Sequence, residues 1–316
     1  IMPERDFRAD IDHALDLSRQ FDTPHFKTNV FKFFADEVIE EETAYLLLDG
    51  ELPSSTQLEK FDNQLRVHRR VKYNIHDIMK ALPVTGHPMK TLQTAVASLG
   101  MFYSDDVPAQ VRGPGDESDR YVHGQSIRIL ARMATLVAMW QQLRLGNYPV
   151  RPSSDLSYAA NFLYMFNGDE PDPLVARIMD VCFILHAEHT INASTFAALV
   201  AGSTLASPFL VIAAAIGTLA GPLHGGANVK VIEMLEAIHR GKLTAQEYIN
   251  QAKDRSSRVR LMGFGHRVYK NFDPRAILLR KVSEQLLNKL QLSDPLLDIA
   301  RNLEEIALQD SYFLER

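Results

Sequence analysis

The sequence predicts an all-α fold, and three observations carry that expectation. Asp172-Pro173, Ser207-Pro208, Asp273-Pro274 and Asp294-Pro295 each set a capping side chain before a proline at the first helical position. Apolar residues recur at helical spacing, as in Leu58, Phe61, Leu65 and again in Ile232, Leu235, Ile238. Runs of alternating strands are missing, and no hairpin signal of the Asn-Gly type joins such runs. Short strands near the N-terminus or around Gly263–Tyr269 stay open at this level.

The chain has 316 residues, 46% of them hydrophobic and 23% charged, which is enough for a sizeable core and about two domains. Its formal net charge of −5 creates no field that favours nucleic acid or an anionic membrane. The single cysteine, Cys182, excludes an intrachain disulfide framework. Its apolar surroundings, Val181 and Phe183-Ile184-Leu185, read as those of a buried small hydrophobe. A cytoplasmic, reducing setting fits. The opening residues Ile1–Asp6 carry charge where a signal peptide needs an apolar run. Because the first residue is not Met, the polypeptide is expected to start upstream of Ile1.

Taken in order, Thr56…Glu59 has capping-box spacing and opens the helix that carries Leu58, Phe61 and Leu65. The basic run Arg66–Lys72 reads as a solvated helix face. Asp105–Asp119 is long, polar and broken by Gly and Pro, so it reads as a loop; Gly146–Ser154 is a shorter one. Phe196–Leu223 is the longest apolar stretch. Ser207-Pro208 divides it, and its Ala, Gly, Ser and Thr content predicts two buried, closely packed helices, Ser194–Leu205 and Pro208–Ala220, in place of a membrane span. Gly221–Gly226 separates this apolar pair from a more charged, amphipathic part, and is the expected boundary and hinge. Gly241 reads as a helix stop, and Thr244…Glu247 as another capping box.

Three histidines stand in settings that stability alone does not explain. His224 lies in Gly221-Pro222-Leu223-His224-Gly225-Gly226-Ala227-Asn228, just ahead of an expected helix N-terminus. Backbone N–H groups there favour negative charge, so a neutral imidazole donating to a developing oxyanion is a sensible role. His266 lies in Gly263-Phe264-Gly265-His266-Arg267-Val268-Tyr269, nine residues before Arg275. Asp273-Pro274 puts Arg275 in the first turn of a helix, a poor place for a cation unless it holds a carboxylate. His189 lies in His186-Ala187-Glu188-His189, where His186 and His189 invite a metal reading that no cysteine or carboxylate cluster completes.

Other motif readings fail on missing parts. Gly263-Phe264-Gly265 lacks the third glycine and the preceding strand of a dinucleotide site. His224-Gly225-Gly226 is like an esterase oxyanion loop, but Gly124-Gln125-Ser126 lacks the closing glycine of the matching nucleophile motif.

Together, and in this order, these segments resemble the citrate synthase family, which includes the 2-methylcitrate synthases. The likeness runs from about Glu41 to the end of the chain. It takes in Glu42–Pro53, Gly86-His87-Pro88-Met89, Asn161–Met165, His186–Thr195, Gly221–Asn228 and Gly263–Arg275. Residues 1–40 match poorly.

The resemblance implies a large helical domain, 1–222, and a smaller one, 223–316, on the CoA side of a cleft. It implies condensation of acetyl-CoA with oxaloacetate in the tricarboxylic acid cycle, with no metal and no permanently bound cofactor. His224 and His266 would be catalytic, His224 stabilising the enol and His266 polarising the ketone. His189 and Arg275 would bind oxaloacetate. Leu261, Met262, Gly263 and Gly265 would receive the CoA adenine, and Lys270 would face its phosphates. An obligate homodimer or higher oligomer is implied, with neither nucleic acid nor membrane as partner.

The aspartate that removes the acetyl methyl proton, in an Asn-Val-Asp-Phe-Tyr type segment, would follow Tyr312–Arg316, so the polypeptide is expected to continue. The alternatives are a 2-methylcitrate synthase using propionyl-CoA, differing by one methylene in an acyl pocket, and a non-catalytic member that lacks the base.

Overall fold

The computed structural model describes residues 37–103, 116–188, 191–254, 256–265 and 273–314. The described residues are helical and contain no strand, as the all-α expectation has it. The helices are α1 (Glu40–Asp49), α2 (Ser55–His68), α3 (Tyr73–Lys80), α4 (Pro88–Tyr103), α5 (Asp116–Arg144), α6 (Tyr158–Asn167) and α7 (Pro173–Ala187). There follow α8 (Ala193–Ser203), α9 (Pro208–Leu219), α10 (Ala227–Gly241), α11 (Ala245–Lys253), α12 (Pro274–Leu290), α13 (Pro295–Gln309) and α14 (Ser311–Leu314).

Local capping chemistry starts these helices. Asp172 accepts from the Leu174 N–H at 2.9 Å, and Asp294 from that of Leu296 at 2.8 Å, each with proline at the helix start. Thr244 and Glu247 form the expected reciprocal capping box. At α2 the box sits two residues earlier than expected. Ser54 and Gln57 form it, leaving Thr56 and Glu59 inside the helix. Both frames have the right spacing; the chain uses the one directly after Pro53. The expected loop Asp105–Asp119 is likewise too long, because α5 already begins at Asp116. Gly241 ends α10 as a helical residue, and Lys242 takes the left-handed position at φ 52°.

The chain divides into two compact units. One ends at Thr218 and takes in Pro274–Val282; the other comprises Leu219–Asp273 and Ser283–Arg316. In the first, α5 is the organising helix, about 43 Å long at 1.5 Å per residue. Ile129, Leu136 and Trp140 of α5 pack with Ile75 and Met79 of α3, Leu99 of α4 and Phe209 of α9. Met79, Leu99, Leu136 and Phe209 are completely buried, each contributing about 1.5–3 kcal/mol. A second contact joins α1, α2 and α5 through Ala44, Phe61, Leu65 and Ala131. Val181 and Leu185 of α7 pack against Leu278 of α12.

In the second unit, Met234, Leu235 and Ile238 of α10 meet Ile249 of α11 and Leu303 of α13. Ile232, expected on that face, is instead half exposed. The buried stripe takes Met234 in its place, since i, i+3 spacing fits either register.

Three further expectations change. The helix pair is not uniformly buried: α8 has no buried residue, and Phe196, Leu199 and Val200 are each more than half exposed. Cys182 is only half-buried. The basic run is a solvated face only in part: Arg70 and Lys72 are exposed, but Arg69 is 1% exposed. Its Nη1 donates to the carbonyls of Ser153 at 3.1 Å and Leu156 at 2.8 Å. Arg66 pairs with Asp62 at 2.6 Å, and Lys72 donates to the Phe102 carbonyl. Arg69, with Arg66 donating to the Ser154 carbonyl, pins the segment before α6 onto the end of α2.

Candidate active site

His224 sits in a closed turn between α9 and α10. Its N–H donates to the Gly221 carbonyl at 3.0 Å, and its carbonyl accepts from the Ala227 N–H at 3.3 Å. Gly225 donates to the Leu219 carbonyl at 3.0 Å and Gly226 to Gly221 at 3.1 Å. Glycine is needed here for space: a Cβ on Gly225 would lie 2.3 Å from the Leu219 oxygen. No side chain caps α10. Ala227, its first residue, donates to the His224 carbonyl, and the positive end of the helix begins three residues past a half-buried imidazole.

The segment expected to receive CoA meets the same helix. Leu261 and Met262 pack on the second unit's core, and the Met262 N–H points at the Met234 sulfur at 3.4 Å. Gly263 and Gly265 follow at φ 84° and 77°, left-handed conformations that favour glycine. Gly263 lies against Val231, the fifth residue of α10, which leaves no easy room for a side chain. The structure thus brings His224 and the Leu261–Gly265 segment to the N-terminal half of α10. His266 and Lys270 lie outside the described residues.

Arg275 falls in the first turn of α12, as the Asp273-Pro274 start predicts. Its guanidinium faces the C-terminal end of α7 and donates to the Leu185 carbonyl at a long 3.5 Å. That carbonyl is among the last four of α7, which have no partner inside the helix, and it carries the negative end of the helix dipole. A cation at the start of α12 is thereby compensated by the end of α7. His189, two residues past Ala187, lies outside the described residues. His186, within α7, has Nδ1 2.6 Å from the Cys182 carbonyl.

Sequence reading missed a buried ionic cluster in the first unit. Glu40 and Glu41 are buried at the start of α1, Asp180 in the middle of α7, and Arg69 at the end of α2. Asp180 accepts from the Glu40 N–H at 3.0 Å and pairs with Arg177, which also donates to the Val38 carbonyl. Glu41 accepts from the Tyr158 N–H at 2.8 Å. Burial, reinforced by Glu41 and Asp180, pushes the Glu40 carboxyl up to about 8. Burial also raises Glu41 and Asp180. The only sequence signal was three successive glutamates at a helix start, which reads equally well as a favourable dipole interaction.

Among the described residues, no group of three or more His, Cys, Asp or Glu side chains could hold a metal ion. No described helix is long and apolar enough to cross a membrane.

Residues 30–316 match the family model described as citrate synthase, C-terminal domain. A citrate synthase of Acidithiobacillus ferridurans is 52% identical over 273 residues, covering 85% of this chain and 68% of that protein. One from Synechocystis is 48% identical over 265 residues, covering 84% and 64%. The chain thus spans about two thirds of the length of these curated relatives. Among solved structures, the citrate synthase of Pyrobaculum aerophilum superposes with a TM-score of 0.82 at 37% identity, covering 90% of this chain and 70% of that one.

Proposed function

This chain belongs to the citrate synthase family, and we propose that it condenses acetyl-CoA with oxaloacetate to give citrate and CoA through an enol intermediate. The observation that carries the reading is the closed Gly221–Gly226 turn. It holds an imidazole ahead of the uncapped positive end of α10, with the Leu261–Gly265 segment against the same helix. An enol oxygen developing negative charge is stabilised by such a donor, and CoA phosphates by such a helix end.

In this reading His224 donates a hydrogen bond to the enol of the acetyl group, and His266 polarises the oxaloacetate ketone. His189 hydrogen-bonds oxaloacetate, and Arg275 holds one of its carboxylates. Leu261, Met262, Gly263 and Gly265 receive the adenine through backbone groups, and Lys270 faces the phosphates. The enol carbon attacks the ketone carbon, forming the new C–C bond. Water then cleaves the thioester to release citrate and CoA. The base that takes the acetyl methyl proton is assigned to no residue up to Arg316. The large part of the protein is taken as 1–222 and the small part as 223–316, and the protein as cytoplasmic. The exposed apolar face of α8 supports a homodimer in which Phe196, Leu199 and Val200 are covered by the second subunit.

Thiol release tests the reading. Full-length protein should liberate CoA from acetyl-CoA only when oxaloacetate is present, and faster than from propionyl-CoA. Faster turnover of propionyl-CoA would make it a 2-methylcitrate synthase. No oxaloacetate-dependent release from either thioester would overturn the enzymatic reading.

A further inference from the structure

The buried cluster at the start of α1 contains more acids than bases. From α1 come Glu40, Glu41 and Glu42; from α2 and its C-cap, Asp62, Arg66 and Arg69; from α6, Tyr158; and from α7, Arg177 and Asp180. Most of the acids are committed. Arg66 pairs with Asp62, Arg177 pairs with Asp180, the Tyr158 N–H satisfies Glu41, and the Ile39 N–H satisfies Glu42. Glu40 is different. It is 7% exposed, and its Oε2 has no hydrogen-bond partner among the described residues; Asp62 also leaves Oδ1 unpartnered, but Arg66 holds its other oxygen. Arg69 is the cation whose charge opposes the rise at Glu40, but no ion pair joins the two, and its Nη1 serves the Ser153 and Leu156 carbonyls. A carboxylate buried without a counter-ion takes a proton and becomes neutral.

The position of this carboxyl matters because of what α7 carries. The Glu40 N–H is held by Asp180, so docking of α1 fixes α7 near its middle. Five residues further along α7, the Leu185 carbonyl meets Arg275.

We propose that Glu40 is a proton-carrying positioning residue: its neutral carboxyl lets α1 dock on α7, and loss of the proton loosens that junction and weakens dicarboxylate binding at Arg275. The second half rests on the function proposed above; the first does not. Docking leaves Glu40 neutral in the folded protein over a range where the unfolded chain has already ionised it. That range runs from the ordinary 4.5 up to about 8. Stability therefore declines as pH rises through it, and the full penalty is reached above about 8.

Infrared spectroscopy of the full-length protein reads the proton directly. At neutral pH the wild type should show the C=O stretch of a protonated, buried carboxyl, and this band should disappear as pH is raised through about 8. Glu40→Gln keeps the shape of the neutral acid, so it should fold, and it should lack the band. Thermal unfolding gives a second measure. The wild-type Tm should fall by about 5–10 °C between about pH 6 and about pH 9, while the Tm of E40Q changes far less. The coupling to the site is read separately. The oxaloacetate KM of the wild type should rise over the same pH window with kcat little changed, and E40Q should flatten that rise. A wild type with no band at neutral pH, or a band that persists unchanged in E40Q, would overturn the proton assignment. A KM profile identical in E40Q, with the band behaving as expected, would overturn the coupling alone. A protein without any oxaloacetate-dependent activity would instead remove the functional reading and leave the infrared result standing.

Discussion

Replacing Gly225 by alanine tests whether the turn around His224 has to be as tight as its hydrogen bonds make it. The added Cβ would lie 2.3 Å from the Leu219 oxygen and 2.7 Å from its Cδ1, where ordinary contact begins at 3.4 Å. The side chain could turn away, but the carbonyl is backbone, so the turn must open by about 1 Å. Opening it strains the Gly225 bond to Leu219 and the Gly226 bond to Gly221. At about 0.5–1.5 kcal/mol each, their loss costs about 1–3 kcal/mol. The stiffer unfolded chain returns about 0.4–1 kcal/mol. The net effect on stability is thus modest, about 1–2 kcal/mol destabilising.

The effect on turnover should be larger. A misplacement of about 1 Å in a positioned group costs on the order of 10²-fold. Thiol release at saturating oxaloacetate should therefore show kcat of G225A down by about 10²-fold, with a folded protein by circular dichroism. Gly124 supplies the control. It lies in α5 with nothing within 4 Å of an added Cβ. Alanine there should leave kcat unchanged and stabilise by about 0.5–1 kcal/mol. Wild-type kcat in G225A would show that the turn does not position a reacting group, and would remove the main support for the role given to His224.

Two further outcomes are expected. Arg275→Ala removes a charge-assisted carboxylate contact of about 1.5–3 kcal/mol, so steady-state kinetics should show the oxaloacetate KM up by roughly 10- to 150-fold; an unchanged KM would refute the assignment. Leu199→Asp places a charge on the exposed apolar face of α8, so sedimentation should show a dimer for the wild type and a monomer for the variant, and a wild type already monomeric at micromolar concentration would refute the interface.

What was legible in the sequence was local. The starts of α7 and α13 follow from Asp172-Pro173 and Asp294-Pro295, because cap and helix lie within three residues of each other. Where two local solutions have equal spacing, sequence could not choose. Ser54…Gln57 competed with Thr56…Glu59, and Met234 with Ile232, where burial against the second unit's core chose Met234. Arg69 shows the harder case. Within its own run it looks like one more surface cation. Its partners at Ser153 and Leu156 are 84 and 87 residues away, and no local pattern announces them. The candidate site divides in the same way. The turn around His224 and the left-handed glycines at 263 and 265 are written locally, whereas the meeting of Arg275 with Leu185 spans 90 residues.

That last contact bears on how a remote change reaches the site. Arg275 stands at the positive end of α12, and the Leu185 carbonyl at the negative end of α7, so each helix end offsets the other. A 3.5 Å bond is weak, and a substrate carboxylate offers the guanidinium a shorter, charge-assisted partner. The distance from Arg275 to the end of α7 is therefore a free-energy variable of the site. Asp180 holds the same helix about 8 Å upstream, through the Glu40 N–H. A helix of 15 residues, packed through Val181 and Leu185, moves as one body over that span. Loosening it at Asp180 shifts the Leu185 carbonyl relative to Arg275. Substitutions in α1, which touch no substrate, should on this account change oxaloacetate affinity and leave the turn around His224 unchanged.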